Sequence, residues 1–445
     1  MLESVRNAFK VKEIRNRILF TLVALIVIRF GCQLPIPGFN RANFHMWYSQ
    51  LLGSEGNTFG FFNAFTGGSF ENMSIFALNI TPYITSSIII QLLTIAIPAL
   101  EELQREGEEG RKMLVSITRY VTIGLSIIEA TAMAIGFNSQ GILEQRNDPL
   151  TIIMIILGLT AGSAMLMWIG EQIQEYGIGN GISIVLTINI ISRLPGDITS
   201  LYDMFVKNNF VDGKILIAIV AAVVIIAVIL LTVVLVILLN DAERRIPVQY
   251  AKKVLGRKVV GGNSSHIPLK VNTAGVIPII FASSLMQFPI VIAQLLGRDG
   301  GTTMWGHILR ALNSGNWCNP NRPVYSIGLL AYIIMVIFFA YFYTSITFNP
   351  LEVADNLKKQ GGFIPGIRPG RPTSDYLTNM LNYIIFIGAV GLTIVAVIPI
   401  FFNGFFGADV SFGGTSLIII VGVILDTIKQ VESKMLVRNY KGFLS

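Results

Sequence analysis

One uninterrupted apolar stretch limits what this chain can fold into more than any other feature. Residues 215–239 are consecutive and all apolar except Thr232. As a helix they would measure about 37 Å, more than the roughly 30 Å hydrocarbon core of a bilayer. A helix that is apolar on every side needs lipid or a large protein core around it. The sequence therefore predicts at least one membrane-spanning helix.

Similar apolar segments recur along the chain. Of its 445 residues, 53% are hydrophobic and only 13% are charged, whereas soluble domains carry about 25% charged residues. This composition predicts an all-α, polytopic membrane protein with ten transmembrane helices, of which the fifth and tenth are short. The ten segments cover residues 18–34, 74–97, 113–137, 150–170, 182–194, 215–239, 271–296, 323–348, 376–402 and 415–428.

The distribution of basic residues supports this count. If the N-terminus is cytoplasmic and ten spans alternate, 24 of the 33 Lys and Arg residues fall in inner segments and 8 in outer ones, with Arg29 inside the first span. Such a bias is what the positive-inside rule expects, and it places both termini in the cytoplasm. The net charge of +7 is then a topology signal rather than evidence of nucleic-acid binding. The basic, amphipathic N-terminus also argues against a removable signal peptide.

Two inner loops are longer than topology requires. Residues 241–270 alternate apolar and basic side chains around a glycine break, which predicts a β-hairpin projecting into the cytoplasm. Residues 349–376 have a helix-like first half and a Gly/Pro-rich tip. Plain solvated loops and a docking platform both remain open on charge alone.

A weak internal similarity connects the second and seventh segments. Pro82 precedes Ser86, Ser87 and Gln91, and a matching series occurs five segments later: Pro278, Ser283, Ser284 and Gln287. Two inverted halves of five helices would explain it, and so would chance similarity of small polar residues in apolar helices.

Motifs of enzymatic chemistry are missing from the sequence. No phosphate-binding G-x-x-x-x-G-K-[ST] loop occurs, so the chain carries no recognisable ATPase. The glycines of "YGIGNGIS" at 176–183 follow a membrane span rather than a strand, which favours a turn over a dinucleotide site. The histidines stand far apart in separate loops, at His45, His266 and His307. We expect no catalytic residue, no metal and no cofactor.

Few polar groups of functional interest lie within the predicted spans. Arg29 stands in the outer half of the first span, where its side chain can reach the interface, and Glu129 stands in the middle of the third. Cys32 and Cys318 have neither metal-ligand spacing nor the numbers of a disulfide framework, so we expect ordinary thiols. Ten spans with a possible repeat also fit a secondary transporter of a small solute, although such carriers usually show more intramembrane charges. A membrane-embedded hydrolase lacks a nucleophile and base.

An uncharged stretch, "NTFGFFNAFTGGSF" at 57–70, stands directly before the second span. Its five phenylalanines should avoid water, yet it is too short and too rich in glycine to cross a bilayer as a helix. A buried re-entrant loop is the simplest reading of it.

Several longer motifs, taken in order, resemble the bacterial SecY (SecY/Sec61-alpha) family over essentially the whole chain. The motifs are "LPIPGFN" at 34–40, "FNAFTGGSFENMSIFALNITPYITSSIIIQLL" at 62–93, "EGEEGRK" at 106–112, "MWIGEQIQEYGIGNGIS" at 167–183, "HIPLKVNTAGVIPIIFASS" at 266–284, "FNPLEVADNLKKQGGFIPGIRPG" at 348–370 and "FGGTSLIIIVGVILD" at 412–426.

This resemblance implies a protein-conducting channel of the bacterial cytoplasmic membrane. Its clamshell would consist of an N-terminal half, residues 1–200, and a C-terminal half, residues 201–445. It would pass unfolded polypeptides across the membrane and release apolar segments laterally into lipid, driven by SecA or a translating ribosome. The implied partners are SecE, SecG, the SecA ATPase, the ribosome, signal-bearing preproteins, YidC, SecDF and membrane lipids.

The resemblance also implies roles for particular residues. The pore ring would be Ile80, Ile84, Ile182, Leu186, Ile280 and Ile419, where Leu186 replaces the isoleucine often found in the family. The plug, about 57–73, would use Phe61, Phe62, Phe65, Gly67 and Gly68. The lateral gate would use Gln91, Thr94, Ser283, Ser284 and Gln287. The docking surface for SecA or the ribosome would use Arg257, Lys258, Lys358, Lys359, Arg368 and Arg371.

Overall fold

The structure is a computed structural model of the whole chain. It describes residues 9–52, 66–145, 148–207, 215–250, 253–255, 258–260, 264–295, 303–318, 320, 323–406 and 414–441. Among the predicted functional residues, Phe61, Phe62, Phe65 and Arg257 lie outside these ranges.

Helices dominate the described chain. Before residue 215 they are α1 (Lys12–Gly31), α2 (Arg41–Leu52), α3 (Thr81–Ala96), α4 (Pro98–Arg105), α5 (Glu108–Ser139), α6 (Pro149–Tyr176) and α7 (Gly181–Leu201), which continues as a π-helical turn (Tyr202–Lys207). From residue 215 they are α8 (Ile215–Asp241), α9 (Ile277–Leu295), α10 (Met304–Leu312), α11 (Ile327–Thr347), α12 (Pro350–Lys359), α13 (Arg371–Phe406) and α14 (Gly414–Lys441), with 3₁₀ turns at Ser314–Asn316 and Pro323–Ser326.

Each of the ten predicted segments contains a helix, which confirms the all-α assignment. Within the described ranges, five helices pass a length and hydropathy test for spanning, and α3 with α4 forms a sixth candidate bent by 107°. The helices α7 and α9 are shorter apolar helices. The count of ten spans is consistent with this arrangement but remains a prediction.

The second segment departs from a simple span. Residues 74–80 form turns, and helix begins only at Thr81, with Pro82 in its first turn. Asn79 has a φ of 53°, in the left-handed region that an α-helix cannot accommodate. Pro98 starts α4 just after α3 ends, where the residue before proline is disfavoured from helix.

The predicted hairpin is confirmed and extended. Strand β1 (Glu243–Tyr250) pairs antiparallel with β4 (Ser264–Lys270), and the short strands β2 (Lys253–Leu255) and β3 (Lys258–Val260) pair between them. The sequence did not reveal β5 (Gly362–Phe363), which adds to the free edge of β1 and gives the order β4-β1-β5. The two long loops therefore share one sheet.

Separate apolar clusters form the cores. One surrounds Phe44, whose ring packs edge-to-face on those of Phe70 and Phe137. A second joins α8, α9, α11 and α13 around Val336. A third packs the inner face of the sheet against α11, α12 and α13, and its members include Ile246.

Candidate functional site

The return segment, residues 66–80, approaches α7 more closely than a side chain would allow. Gly67 has a φ of 63°, and a Cβ there would lie 2.7 Å from the carbonyl oxygen of Asn189 and 2.8 Å from its Cα. Gly68 has a φ of 83°, and no atom of the described residues lies within 4 Å of where its Cβ would be. Glycine is thus required at 67 for both conformation and space, and at 68 for conformation alone.

Side chains from α1 and α7 hold this segment. Arg29 donates from Nη1 to the carbonyl oxygen of Gly67 at 3.3 Å, and Ser192 Oγ lies 3.4 Å from the same oxygen. Arg193 forms an ion pair with Glu71 at 3.4 Å. The side chain of Arg29, predicted to reach the membrane interface, therefore has a specific hydrogen-bond acceptor in the backbone of the predicted plug.

A buried pair of amides lies beneath this contact. Asn189 donates from Nδ2 to Asn79 Oδ1 at 3.0 Å, and both residues are at most 1% exposed. The thiol of Cys32 lies 3.8 Å from Asn189 Oδ1. Buried polar groups are stable when they are hydrogen-bonded, so this pair fixes the start of α3 against the middle of α7. Sequence reasoning missed it, although an asparagine within the apolar segment 182–194 is a recognisable sign of interhelical bonding.

The return segment is also fixed to the end of α1. Ile36 N donates to Met73 O at 3.0 Å, and Ile75 N donates to Leu34 O at 3.0 Å. At Gly31, a Cβ would lie 2.1 Å from the ring of Phe76. The described part of the predicted plug is therefore a tightly packed turn rather than an open loop.

Apolar residues of the predicted ring lie next to this segment in two clusters. The first contains Ile80, Ile84, Ile182 and Leu186, and the second contains Ile280 and Ile419. Val423 of α14 packs against both clusters, so they adjoin. Ile80 is 0% exposed and Ile419 2%, so both are fully packed. Ile84, Ile182 and Ile280 are half-buried.

Helix α5 packs against α9, and this contact joins the two predicted halves on one side. Of the predicted gate residues nearby, Thr94 Oγ1 donates to Gln91 O at 2.7 Å, and Ser283 Oγ donates to Ile279 O at 2.8 Å. Both hydroxyls are thus satisfied within their own helices. Ser284 is exposed, and the side chain of Gln287 lies outside the described part of the chain.

The predicted docking residues lie around the three-stranded sheet, on α12, at the start of α13 and in the separate strand pair β2-β3. Lys358 and Lys359 end α12 and are exposed, and Gly362 follows them into β5. Arg368 and Arg371 are exposed at the start of α13, where Thr373 Oγ1 donates to the carbonyl oxygen of Arg368 at 2.8 Å. Lys258 begins β3, and its side chain lies outside the described part. Because apolar packing fixes the sheet to α12 and α13, these charges sit on a rigid base.

The glycine-rich loop at 176–183 is a turn, as predicted. Asn180 caps α7 by accepting from Ser183 N at 3.3 Å, and Gly179 has a φ of 88°. Its amides bind protein groups, with Gly179 N donating to Gln430 Oε1 at 3.0 Å. Among the described residues, no group of three or more His, Cys, Asp or Glu side chains could hold a metal ion. Glu129 is half-buried in α5.

Comparison with known proteins gives consistent matches. A family model described as SecY matches residues 74–428. Relatives named "Protein translocase subunit SecY" are 43% identical in Halalkalibacterium halodurans and in Streptomyces galbus, and both matches cover 100% of each chain.

Solved structures share the fold at low sequence identity. A structure described as "The structure of a protein conducting channel" has a TM-score of 0.65 at 19% identity and covers 97% of both chains. "Sec61 in the Canine ribosome-channel complex from the endoplasmic reticulum" has a TM-score of 0.63 at 19% identity and covers 96% of this chain and 94% of that one.

Proposed function

The chain belongs to the SecY family, and we propose that it is the central, protein-conducting channel subunit of a bacterial Sec translocase. The observation that carries this proposal is the 43% identity with SecY translocase subunits over the full length of both chains. The protein is a multi-pass membrane protein, and we place it in the cytoplasmic membrane with both termini inside. A small-solute carrier is not favoured by this relationship.

The proposed channel has to admit an extended polypeptide without leaking ions. A narrow constriction of apolar side chains excludes ions by dewetting, and such side chains can part without breaking specific hydrogen bonds. We assign this role to the two adjoining isoleucine-rich clusters, with Ile84 of α3 and Ile280 of α9 on opposite halves. Both are half-buried, so neither is locked in the interior of a helix bundle.

Substitution of the ring tests this assignment. The double variant Ile84→Ser and Ile280→Ser should raise ion conductance of the reconstituted channel and relax its demand for a strong signal sequence. Ile334→Ser is the matched control, because Ile334 is 57% exposed on α11 and belongs to neither cluster. Conductance in the double variant no higher than in the control would contradict the assignment.

The return segment supports a closing role for the predicted plug. It joins the phenylalanine-rich stretch to the start of α3 and ends at Ile80 of the predicted ring. A phenylalanine-rich segment that enters the pore would therefore be attached next to the ring. The contacts of Gly67 with Arg29 and Asn189 would hold that segment when no polypeptide is present. Two glycines with positive φ give the chain a tight return and a hinge.

For lateral release we propose a seam where α5 and α9 meet. The hydroxyls of Thr94 and Ser283 donate within their own helices, so neither donates a hydrogen bond across the seam. Even an interhelical hydrogen bond would add only about 0.6–2 kcal/mol in a membrane, so an apolar signal helix can displace a seam of this kind. Cysteine pairs that crosslink α5 to α9 should block insertion of signal helices. Full insertion activity after crosslinking would contradict the seam.

The energy for transport has to come from a partner, since the sequence lacks an ATP-binding loop. We propose that SecA or a ribosome binds the sheet and α12, with SecE and SecG as membrane partners and YidC and SecDF as further ones. Related channels have been solved in complex with ribosomes. Exposed lysines on a rigid base suit a negatively charged or mixed surface.

Charge reversal tests the docking surface. In vesicles that contain SecE and SecA, a signal-bearing preprotein should become protease-protected when ATP is added. Lys358→Glu with Lys359→Glu should reduce this protection. Arg41→Glu, which changes an exposed charge on α2, is the control and should leave it unchanged. Equal protection with the parent, the double variant and the control would exclude α12 from docking.

A further inference from the structure

A short helix on the far side of the protein from the sheet has one buried face and one exposed apolar face. The helix α10 follows α9, whose other end connects to β4. Its inner face consists of two buried residues, Gly306 and Leu309. Leu309 packs in a cluster with Ile290 and Ala293 of α9. The outer face carries large apolar side chains at high exposure, Met304 at 82%, Trp305 at 52% and Ile308 at 43%.

The orientation of α10 is fixed by contacts with its backbone. Trp317 Nε1 donates to Ala311 O at 2.7 Å, and Asn316 Nδ2 donates to Arg310 O at 3.0 Å. At Gly328, near the start of α11, a Cβ would lie 1.7 Å from Ala311 O, so the two helices approach as closely as backbones can. Because these contacts fix the rotation of α10, its outer face points away from the rest of the protein.

This outer face is continuous with an apolar stripe on α11. Val324 is 70% exposed in the preceding turn. The stripe continues along one side of the spanning helix with Ile327, Leu330, Ile334 and Phe338, each at least 57% exposed. Because these positions repeat every three to four residues, they form the lipid-facing side of α11. The residues of α10 extend that side beyond the end of the span.

Amphipathic aromatic groups mark the same level. Tyr325 Oη and His307 Nδ1 are 3.0 Å apart, and their rings stack at 6.3 Å, which connects α10 to the turn before α11. Trp305 stands on the same turn of α10, two residues before His307. Tryptophan and tyrosine concentrate at membrane–water interfaces, where one part of the side chain is apolar and the other can bind water.

We propose that α10 lies in the phospholipid interface on the side of the membrane opposite the sheet. In this position Met304, Trp305 and Ile308 enter the boundary between headgroups and acyl chains, and the helix anchors the ends of α9 and α11 to the lipid. The occupant of the outer face is the lipid surface, because the face adjoins the exposed apolar side of α11, a helix long and apolar enough to span a membrane. The proposal requires only that the chain spans a membrane, and it is independent of the conducting function.

Spin labelling measures the depth of this face. In a Cys32→Ser, Cys318→Ser background, nitroxide labels are attached to Ile308→Cys, Leu330→Cys or Lys359→Cys in nanodiscs of phosphatidylcholine and phosphatidylglycerol. Collision with oxygen relative to a water-soluble nickel chelate should be several-fold higher at 308 than at 359, and closer to the value at 330. A ratio at 308 equal to that at 359 would show a solvated helix. Low collision with both reagents would show a covering protein. Either result overturns the proposal.

Intrinsic fluorescence provides a second measurement without a label. Brominated phospholipids quench tryptophan on contact, so Trp305→Phe should remove a larger share of the quenching by shallow bromines than Trp47→Phe does. Trp47 is the matched control because it packs against Phe44 and Phe137 in a protein core. Equal loss in the two variants would overturn the proposal even if the labelled proteins failed to fold.

Discussion

The close approach of Gly67 to α7 gives the sharpest test of how the return segment is held. Alanine at 67 or at 68 must adopt a positive φ, which costs about 1–2 kcal/mol for a residue with a Cβ. Only at 67 does the new methyl group also meet backbone, 2.7 Å from Asn189 O, and overpacking of this kind costs about 1–3 kcal/mol more. Gly67→Ala should therefore weaken the segment by about 2–5 kcal/mol and Gly68→Ala by about 1–2 kcal/mol.

Resting conductance of the reconstituted channel measures the consequence. If the return segment holds the channel closed, the extra 1–3 kcal/mol in Gly67→Ala corresponds to an open population about 5-fold to about 150-fold larger than in Gly68→Ala. Thermal unfolding in detergent shows whether both variants remain folded. Equal conductance of two folded variants would refute the reasoning, because the contact of Gly67 with Asn189 would then contribute nothing to closure.

Further predictions concern the polar anchors and one helix cap. Asn189→Leu leaves Asn79 Oδ1 without that buried donor, so the free energy of unfolding should fall by about 1–3 kcal/mol, measured by thermal melting. Arg29→Met keeps an unbranched, flexible stem but removes the guanidinium that donates to the return segment, and preproteins with weak signal sequences should then be transported better than by the parent. The hydrogen bond from Thr151 lowers the pKa of Asp148 from its ordinary 3.8, so its carboxylate stabilises the start of α6 above that pH and the effect is lost as pH falls through the lowered pKa. Amide exchange in the first turn of α6 should show this loss, and Asp148→Asn should not.

Elements with strong periodicity could be predicted from the sequence. Every apolar segment contains a helix, because a long run of apolar residues has few alternatives in lipid. The hairpin at 243–270 was predictable because alternate residues face inward, with Ile246 and Val248 buried and Arg245 exposed. Strand β5 was not, since two residues carry no periodicity and Gly362 belongs in the sheet only because Tyr250 lies opposite it.

The candidate site was less predictable because its contacts are long-range. The six ring residues and the gate residues came from family resemblance, since isoleucine in an apolar helix has no distinguishing local signal. The hydrogen bond of Arg29 joins residues 38 apart in sequence, and that of Asn189 joins residues 110 apart. Only the spatial arrangement of α1, α3 and α7 creates these pairs. The non-helical stretch at 74–80 depends on the same arrangement.

In the proposed channel, the polar anchors and the apolar clusters would close the pore together, in a way that suits displacement by a signal helix. The donor from Arg29 is worth about 1.5–3 kcal/mol as a charged hydrogen bond, and the partly exposed Arg193 ion pair about 0.2–1. The hydroxyl of Ser192 adds little, because its one proton is donated to Asn189 O at 2.7 Å. Together these groups hold the return segment by about 2–4 kcal/mol. Ten Leu, Ile, Val or Phe residues of a signal that enter lipid release about 3–6 kcal/mol. Since the two quantities are comparable, a sufficiently apolar signal can open the channel and a weak one cannot, and loss of a single anchor should shift that threshold.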